Sequence, residues 1–126
     1  MAFLRFCWSV REPAARRPRR RFLDTFVMAQ LRVEAAVSEA EPSLYHVRSE
    51  QGRHEVDIVV EYAGGSVFGF EVKAGGGPGL NDAKHLRWLR DELGDRFIGG
   101  AVLHCGPRRY PLSECIVAAP ICSLWA

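Results

Sequence analysis

The sequence predicts one α/β domain, and three patterns along the chain support that class. Apolar residues recur at helical spacing over about residues 22–38 and again over 80–93. Runs rich in β-branched and aromatic residues lie between these helices, and the longest form the arms of a predicted hairpin at 54–62 and 66–73. With 126 residues and 48% hydrophobic content, the chain can bury one core and has no room for a second full domain.

The first 21 residues differ from the rest in composition. They hold seven Arg against Glu12, a charge of +6, so the formal total of +2 leaves −4 for residues 22–126. Dense Arg and Pro predict a disordered tail over 1–21, and we expect the folded domain to span 22–126. We interpret the tail as an upstream remnant or a misplaced start, with an Arg-rich nucleic-acid arm as the alternative.

The predicted first helix is apolar on more than one side, which indicates packing on both sides. One stripe consists of Phe22, Phe26, Ala29 and Val33. Asp24 lies on a neighbouring stripe with Val27, Met28, Leu31 and Ala35. That position lets Asp24 face the sheet as a candidate metal ligand, although an acid near a helix N-terminus is also favoured by the helix dipole alone.

A strand is predicted over 43–48, and the hairpin follows a turn at Gln51-Gly52. The hairpin arms are joined by Ala63-Gly64-Gly65, and a three-residue loop containing glycine closes a hairpin well. With that loop, the ladder sets Asp57 directly opposite Glu71. Alternation predicts that Val56, Ile58, Val60 and Tyr62 share one face while Glu55, Asp57, Val59 and Glu61 share the other.

Two carboxylates placed opposite each other repel unless a cation or a proton offsets the repulsion. Mg²⁺ is the expected cation, because it takes hard oxygen ligands and keeps several waters. Lys73 shares the face of Glu71 and could contact a scissile phosphate, so Asp57, Glu71 and Lys73 predict metal-assisted phosphodiester hydrolysis. The alternative is a solvated hairpin face with an ordinary Glu71–Lys73 ion pair.

The second half of the chain supplies the remaining elements. The run Gly75–Gly79 lacks the ending of a nucleotide P-loop and is interpreted as a flexible connector, so ATP hydrolysis is not expected. The helix over 80–93 precedes a buried strand at 98–105, a turn at Arg108-Arg109 and a short strand at 116–119.

Several strings in this order resemble the domain of unknown function found at the C-terminus of many prokaryotic AAA+ ATPases, within the PD-(D/E)XK nuclease superfamily. The resemblance covers about residues 22–126. Its strings are Phe22-Leu23-Asp24-Thr25-Phe26-Val27, Leu44-Tyr45-His46, Glu55-Val56-Asp57, Phe70-Glu71-Val72-Lys73, Gly94-Asp95-Arg96-Phe97 and Ala119-Pro120-Ile121-Cys122-Ser123-Leu124-Trp125.

The resemblance implies a restriction-endonuclease-like fold, a mixed central sheet flanked by helices in the order αβββαβ. It also implies a Mg²⁺ site in which the carbonyl of Val72 joins Asp57 and Glu71, with Asp24 as a further ligand, DNA as substrate and an ATPase module as partner. Two departures are visible: Asp24 stands where relatives carry Glu, and Val56 replaces the proline before Asp57.

Two further functions stay open from the sequence. One is a non-catalytic module of the same fold that binds nucleic acid or protein, and the other is a remnant of a larger ATPase. The four cysteines lack zinc-ligand spacing. No apolar run reaches the roughly 18 residues of a membrane span, so a soluble cytoplasmic protein without a membrane partner is expected.

Overall fold

A computed structural model describes residues 18–49 and 51–125 of the chain. In the described part of the chain, each of two helices is followed by three strands. Short 3₁₀ turns lie at Leu80–Ala83, Gly94–Arg96 and Ile121–Trp125. The helices and strands are α1 (Pro18–Val37), β1 (Ser43–Arg48), β2 (Glu55–Glu61), β3 (Val67–Val72), α2 (Lys84–Leu93), β4 (Phe97–His104), β5 (Tyr110–Ser113) and β6 (Ile116–Pro120).

The described strands form one mixed sheet of six in the order β1-β2-β3-β4-β6-β5. The pairs β1–β2, β2–β3 and β5–β6 are antiparallel, whereas β3–β4 and β4–β6 are parallel. A parallel neighbour needs a crossover connection, and α2 supplies it between β3 and β4. The predicted α/β class with a mixed central sheet and flanking helices is confirmed.

Each face of the sheet has its own core. Helix α2 covers the face on which Leu86 and Leu89 pack against Val59, and all three side chains are buried. Helix α1 covers the opposite face, where Val27 packs with Ile58. Gly69 allows α2 to approach the sheet closely, because a Cβ there would lie 2.7 Å from Cδ2 of Leu86.

The hairpin register is the predicted one. The N–H of Tyr62 donates to the carbonyl of Ser66 at 2.9 Å across the three-residue loop, and the ladder runs from Glu61↔Val67 to Ile58↔Phe70. The chain turns at Gly65, whose φ of 91° is a conformation that glycine adopts without strain. The hairpin therefore delivers the residues beyond Ile58 and Phe70 to one end of the sheet.

Three predictions about elements need correction. Val56 packs with Val59 and α2 rather than on the face of Ile58, because β2 has a bulge opposite the Tyr45–Val47 stretch of β1. Helix α1 begins at Pro18, so the last four residues of the predicted 1–21 tail are helical, while residues 1–17 lie outside the described ranges. Strand β5 was not predicted, because it is a four-residue edge strand that contains Pro111.

Helices in the described part of the chain are too short or too polar to cross a membrane.

Candidate functional site

The site predicted from the sequence lies where the β2–β3 ladder ends. The paired residues end at Ile58↔Phe70, and Asp57 and Glu71 are the next residue on each strand. The bulge in β2 falls at this point, so the Asp57–Glu71 pairing stays a prediction, while the Asp57 side chain contacts β3 at Val72. Both residues are buried, with only 6% of Asp57 and 1% of Glu71 exposed. Two acidic residues therefore share a water-poor end of the hairpin.

The bulge in β2 directs the Asp57 side chain towards β3. Its Oδ2 accepts a hydrogen bond from the N–H of Val72 at 2.9 Å. Its backbone carbonyl lies 3.1 Å from Nδ1 of His46 and can only accept, so the imidazole donates. Nε2 of the same ring lies 3.0 Å from Oε1 of Glu55. These contacts fix both ends of Asp57, the backbone through β1 and the carboxylate through β3.

Val72 brings a backbone oxygen to the same place. In an extended residue the N–H and the C=O point towards the same neighbouring strand. The N–H of Val72 donates to Asp57, so its carbonyl is on the Asp57 side of β3. An oxygen from Asp57 and an oxygen from Val72 therefore border the gap at the end of the ladder.

Lys73 follows on the face that carries Glu71. Gly69 faces Leu86 of α2, and alternation along β3 puts Glu71 and Lys73 on that face as well. The ammonium of Lys73 lies 4.0 Å from Oδ1 of Asp82 in the turn before α2. Both side chains are partly exposed, so this contact stabilises little and leaves the ammonium available to a phosphate.

The rings of His54, His85 and Trp88 form an aromatic wall beside these residues, at the start of α2. Nδ1 of His54 is 3.3 Å from Nδ1 of His85, which also accepts from the N–H of Glu55 at 3.4 Å. The His54 ring stacks on Trp88, with centroids 4.6 Å apart. Burial, the charge of Lys84, the His54 ring and the charge of Lys73 lower the pKa of His85 to about 4, while Asp57 acts in the opposite direction.

This wall was missed by the sequence reasoning. His54 and His85 lie 31 residues apart, and no spacing rule relates a residue before β2 to the first turn of a later helix. The influence of both Lys73 and Asp57 on His85 ties the start of α2 electrostatically to the hairpin residues. Because the His85 imidazole is neutral above about pH 4, it adds no positive charge to the site at neutral pH.

The connector Gly75–Gly79 is tied to the loop after β4. The N–H of Cys105 donates to the carbonyl of Gly75 at 3.0 Å, and the Tyr110 hydroxyl donates to the carbonyl of Pro78 at 2.6 Å. A Cβ at Gly106 would overlap the backbone of Gly76. Gly106 thus allows the loop after β4 to touch the backbone of the connector at Gly76.

His104 is the last residue of β4 and lies beside the site. The parallel ladder pairs Glu71 with Val102, so the next position on the same face aligns His104 with Lys73. His104 is fully buried, and its Nδ1 accepts from the N–H of Gly106 at 3.0 Å. Because Nδ1 accepts, the ring N–H is on Nε2, a buried atom without a hydrogen-bond partner among the described residues.

Asp24 occupies the other side of the sheet. It lies on α1, next to Leu23 and near Val27 and Met28, which pack on the face opposite α2. Its Oδ1 is buried. Helix α1 thus places the acid on the sheet side of the helix, as the neighbouring stripe predicted, whereas its role as a ligand stays a prediction.

The residues at the ladder end fit Mg²⁺ better than a transition metal. No three His, Cys, Asp or Glu side chains converge in metal-binding geometry within the described ranges. Mg²⁺ needs no such cluster, because one or two carboxylates with several waters are enough to hold it. Asp57, Glu71 and the Val72 carbonyl supply only oxygen donors, the type that Mg²⁺ prefers.

Residues 20–124 match a family described as a domain of unknown function, DUF4143. Two proteins, Mb2031c of Mycobacterium bovis (strain ATCC BAA-935 / AF2122/97) and Rv2008c of Mycobacterium tuberculosis (strain ATCC 25618 / H37Rv), both described as uncharacterized, are each 35% identical over 96 residues. The match covers 75% of this chain but 19% of each relative, so the chain spans about a fifth of their length. No solved structure matches the chain. The resemblance to a domain of unknown function is confirmed, and the nuclease superfamily is not named by these matches.

Proposed function

We propose that this chain, which belongs to the DUF4143 family of domains of unknown function, is a nuclease-like domain that hydrolyses phosphodiester bonds of DNA with the help of Mg²⁺. One observation carries the proposal: buried Asp57 accepts a hydrogen bond from the N–H of Val72, the residue that follows buried Glu71, so two buried acids lie at the same end of the hairpin. A pair of buried carboxylates without a cation costs free energy through mutual repulsion and desolvation. A bound cation removes that cost.

Asp57, Glu71 and the carbonyl of Val72 would hold the ion. Asp24 of α1, which does not converge with these two acids among the described residues, would reach the ion only through a water. When bound, Mg²⁺ polarises a phosphoryl oxygen and lowers the pKa of a coordinated water. Asp57 Oδ2 accepts the Val72 N–H at 2.9 Å, a contact that holds the carboxylate beside the backbone of Val72. Lys73 supplies a cation for the negative charge that develops on the phosphate.

The test is cleavage of supercoiled plasmid DNA by the purified chain with Mg²⁺ or Mn²⁺ and with EDTA. Asp57→Asn removes the charge but retains the acceptor for Val72, and Lys73→Ala removes the cation. We expect either change to lower the cleavage rate at least about 100-fold. Lys84→Ala, which removes an exposed lysine at the start of α2, serves as the matched control. Metal-dependent cleavage that survives both site changes would refute the assignment.

A second function, a non-catalytic module that binds DNA or protein, is favoured by a specific observation. Asp57 and Lys73 each have a structural contact, to Val72 and to Asp82, that requires no catalysis. For DNA, this function predicts salt-sensitive binding of a fluorescent duplex that is the same with Mg²⁺ and with EDTA. Absence of binding at low salt would exclude this DNA-binding function.

The two mycobacterial relatives are longer than the matched domain, and their extra length suggests a partner for it. Because the match covers 19% of each mycobacterial protein, the domain has more chain beside it there. We propose that an ATPase module, joined to the domain or separate from it, is the partner, or that the chain is a remnant of such a protein. Co-purification of a tagged chain with a nucleotide-hydrolysing protein from its own cells would support the partner, and its absence would favour the remnant.

A further inference from the structure

Helix α1 exposes a continuous apolar stripe on the side that faces away from the sheet. Four large side chains are exposed: Phe22 by 71%, Phe26 by 41%, Val33 by 62% and Val37 by 77%. At 100° per residue these four positions and the exposed Ala29 fall within an arc of about 80°. Isolated exposed apolar side chains are ordinary, but an aligned row along a whole helix indicates a contact surface.

The stripe is symmetric along the helix. Phe22 and Val37 lie equally far from the midpoint between Ala29 and Gln30, and so do Phe26 and Val33. Two such helices placed antiparallel would therefore set each Phe against a Val of the other copy. Small Ala29 at the centre permits close approach of the helices. A self-complementary pattern of this kind suits an interface related by a two-fold axis.

The charges on α1 point to the same arrangement. The first turn carries Arg19 and Arg20 and contains no acid, and the last turn contains no base. Exposed Glu39 follows the helix. This is the reverse of what the helix dipole favours. In an antiparallel pair, the end of one helix that is basic in sequence lies near the acidic end of the other, and attraction between the two ends favours this orientation over a parallel one.

We propose that α1 is the contact of a homodimer, in which two copies of this chain pack α1 against α1 antiparallel about an axis near Ala29. The occupant of the stripe is thus a second copy. A helix of 20 residues is about 30 Å long, and one helix pair is at the small end of specific interfaces, so the dimer has a micromolar dissociation constant.

The first experiment is sedimentation of the full chain from low micromolar to near-millimolar concentration. The wild type is expected to pass from monomer to dimer over that range. Val33→Glu places two charges in the apolar contact, one from each copy, and raises the dissociation constant at least about tenfold. Ile98→Glu, which changes an exposed apolar residue away from α1, leaves the constant unchanged. Circular dichroism shows that each variant remains folded.

A second pair of variants tests the register. Phe26→Lys with Val33→Glu gives opposite charges at both symmetry-related contacts, whereas Phe26→Glu with Val33→Glu gives like charges. Within one helix these positions are two turns apart, so their mutual effect in a monomer is small. We expect the first double variant to dimerise at least about tenfold more tightly than the second.

Three results would overturn the proposal. If the wild type stays monomeric over the whole concentration range, the stripe binds another partner. One such partner would be the part of the mycobacterial relatives that lies outside the matched domain. A dimer that responds equally to Val33→Glu and Ile98→Glu is formed by another surface. Equal constants for the two double variants exclude the antiparallel register.

Discussion

Replacing Asp57 by Asn or by Ala separates the structural role of this residue from its charge. The carboxylate accepts the Val72 N–H at 2.9 Å in a buried position, and Glu71, the residue before Val72, is also buried. Asn retains an acceptor oxygen and loses the charge. Ala loses both, and the Val72 N–H is then buried without its acceptor.

The magnitudes follow from these contacts. A buried donor that loses its partner costs about 1 to 3 kcal/mol, so we expect Asp57→Ala to lower the free energy of unfolding by that amount in EDTA. Asp57→Asn exchanges a charge-assisted hydrogen bond for a neutral one, a loss of about 1 kcal/mol. Relief of the repulsion from Glu71 offsets that loss. The Asn variant should therefore lie within about 1 kcal/mol of the wild type.

Urea unfolding followed by circular dichroism measures the stabilities, and calorimetric titration with Mg²⁺ or Mn²⁺ measures ion binding. Both variants are expected to lose saturable ion binding, although only the Ala variant loses stability. Asp95→Asn, at an exposed carboxylate, is the control and should change neither quantity. Equal destabilisation by Asn and Ala, or wild-type ion affinity in Asp57→Asn, would contradict this role of Asp57.

Two further outcomes are expected. Gly69→Ala should lower the free energy of unfolding by about 1 to 3 kcal/mol, because its Cβ would lie 2.7 Å from Cδ2 of Leu86; Gly64→Ala, with open space around it, is the control, and equal effects would contradict the packing. His85 has a pKa lowered to about 4, so the unfolded state binds more protons between that value and 6.5 and stability falls as the pH falls through this window. After allowance for solvent screening of a half-buried ring the loss is about 1 to 2 kcal/mol, and urea unfolding should show it in the wild type but not in His85→Asn.

The hairpin could be predicted in detail because its register depends on local chemistry. A three-residue loop with Gly65 in a glycine conformation fixes Tyr62 opposite Ser66, and the pairs from Glu61↔Val67 to Ile58↔Phe70 follow. The face of Val56 could not be predicted in this way. The bulge in β2 depends on its pairing with β1, and the contact from His46 to the Asp57 carbonyl that accompanies it is a tertiary interaction.

The same distinction applies to the site. Asp57, Glu71 and Lys73 belong to one hairpin, so alternation and register predict that they converge; the structure shows Asp57 in contact with Val72, the residue between the other two. The wall formed by His54 and His85 depends on where α2 crosses the sheet, which is set by the buried contacts of Leu86 and Leu89 rather than by local spacing. Sequence periodicity predicts that α2 packs, but it does not predict which residue of its first turn meets the hairpin.

Apart from Asp24, the proposed ion site and the proposed dimer contact lie on opposite faces of the sheet. Variants can therefore test each of them separately. Glu71 and Lys73 share the face covered by α2, whereas α1 packs on the other face and exposes its stripe beyond it. Pairing through α1 therefore leaves the α2 side of each copy open to DNA. Val33→Glu should weaken dimerisation at least about tenfold and leave ion binding intact, while Asp57→Asn should abolish ion binding and leave dimerisation intact. If both variants lost both properties, the two faces would be coupled through the sheet, and Asp24 on α1 would be the first residue to test as the link.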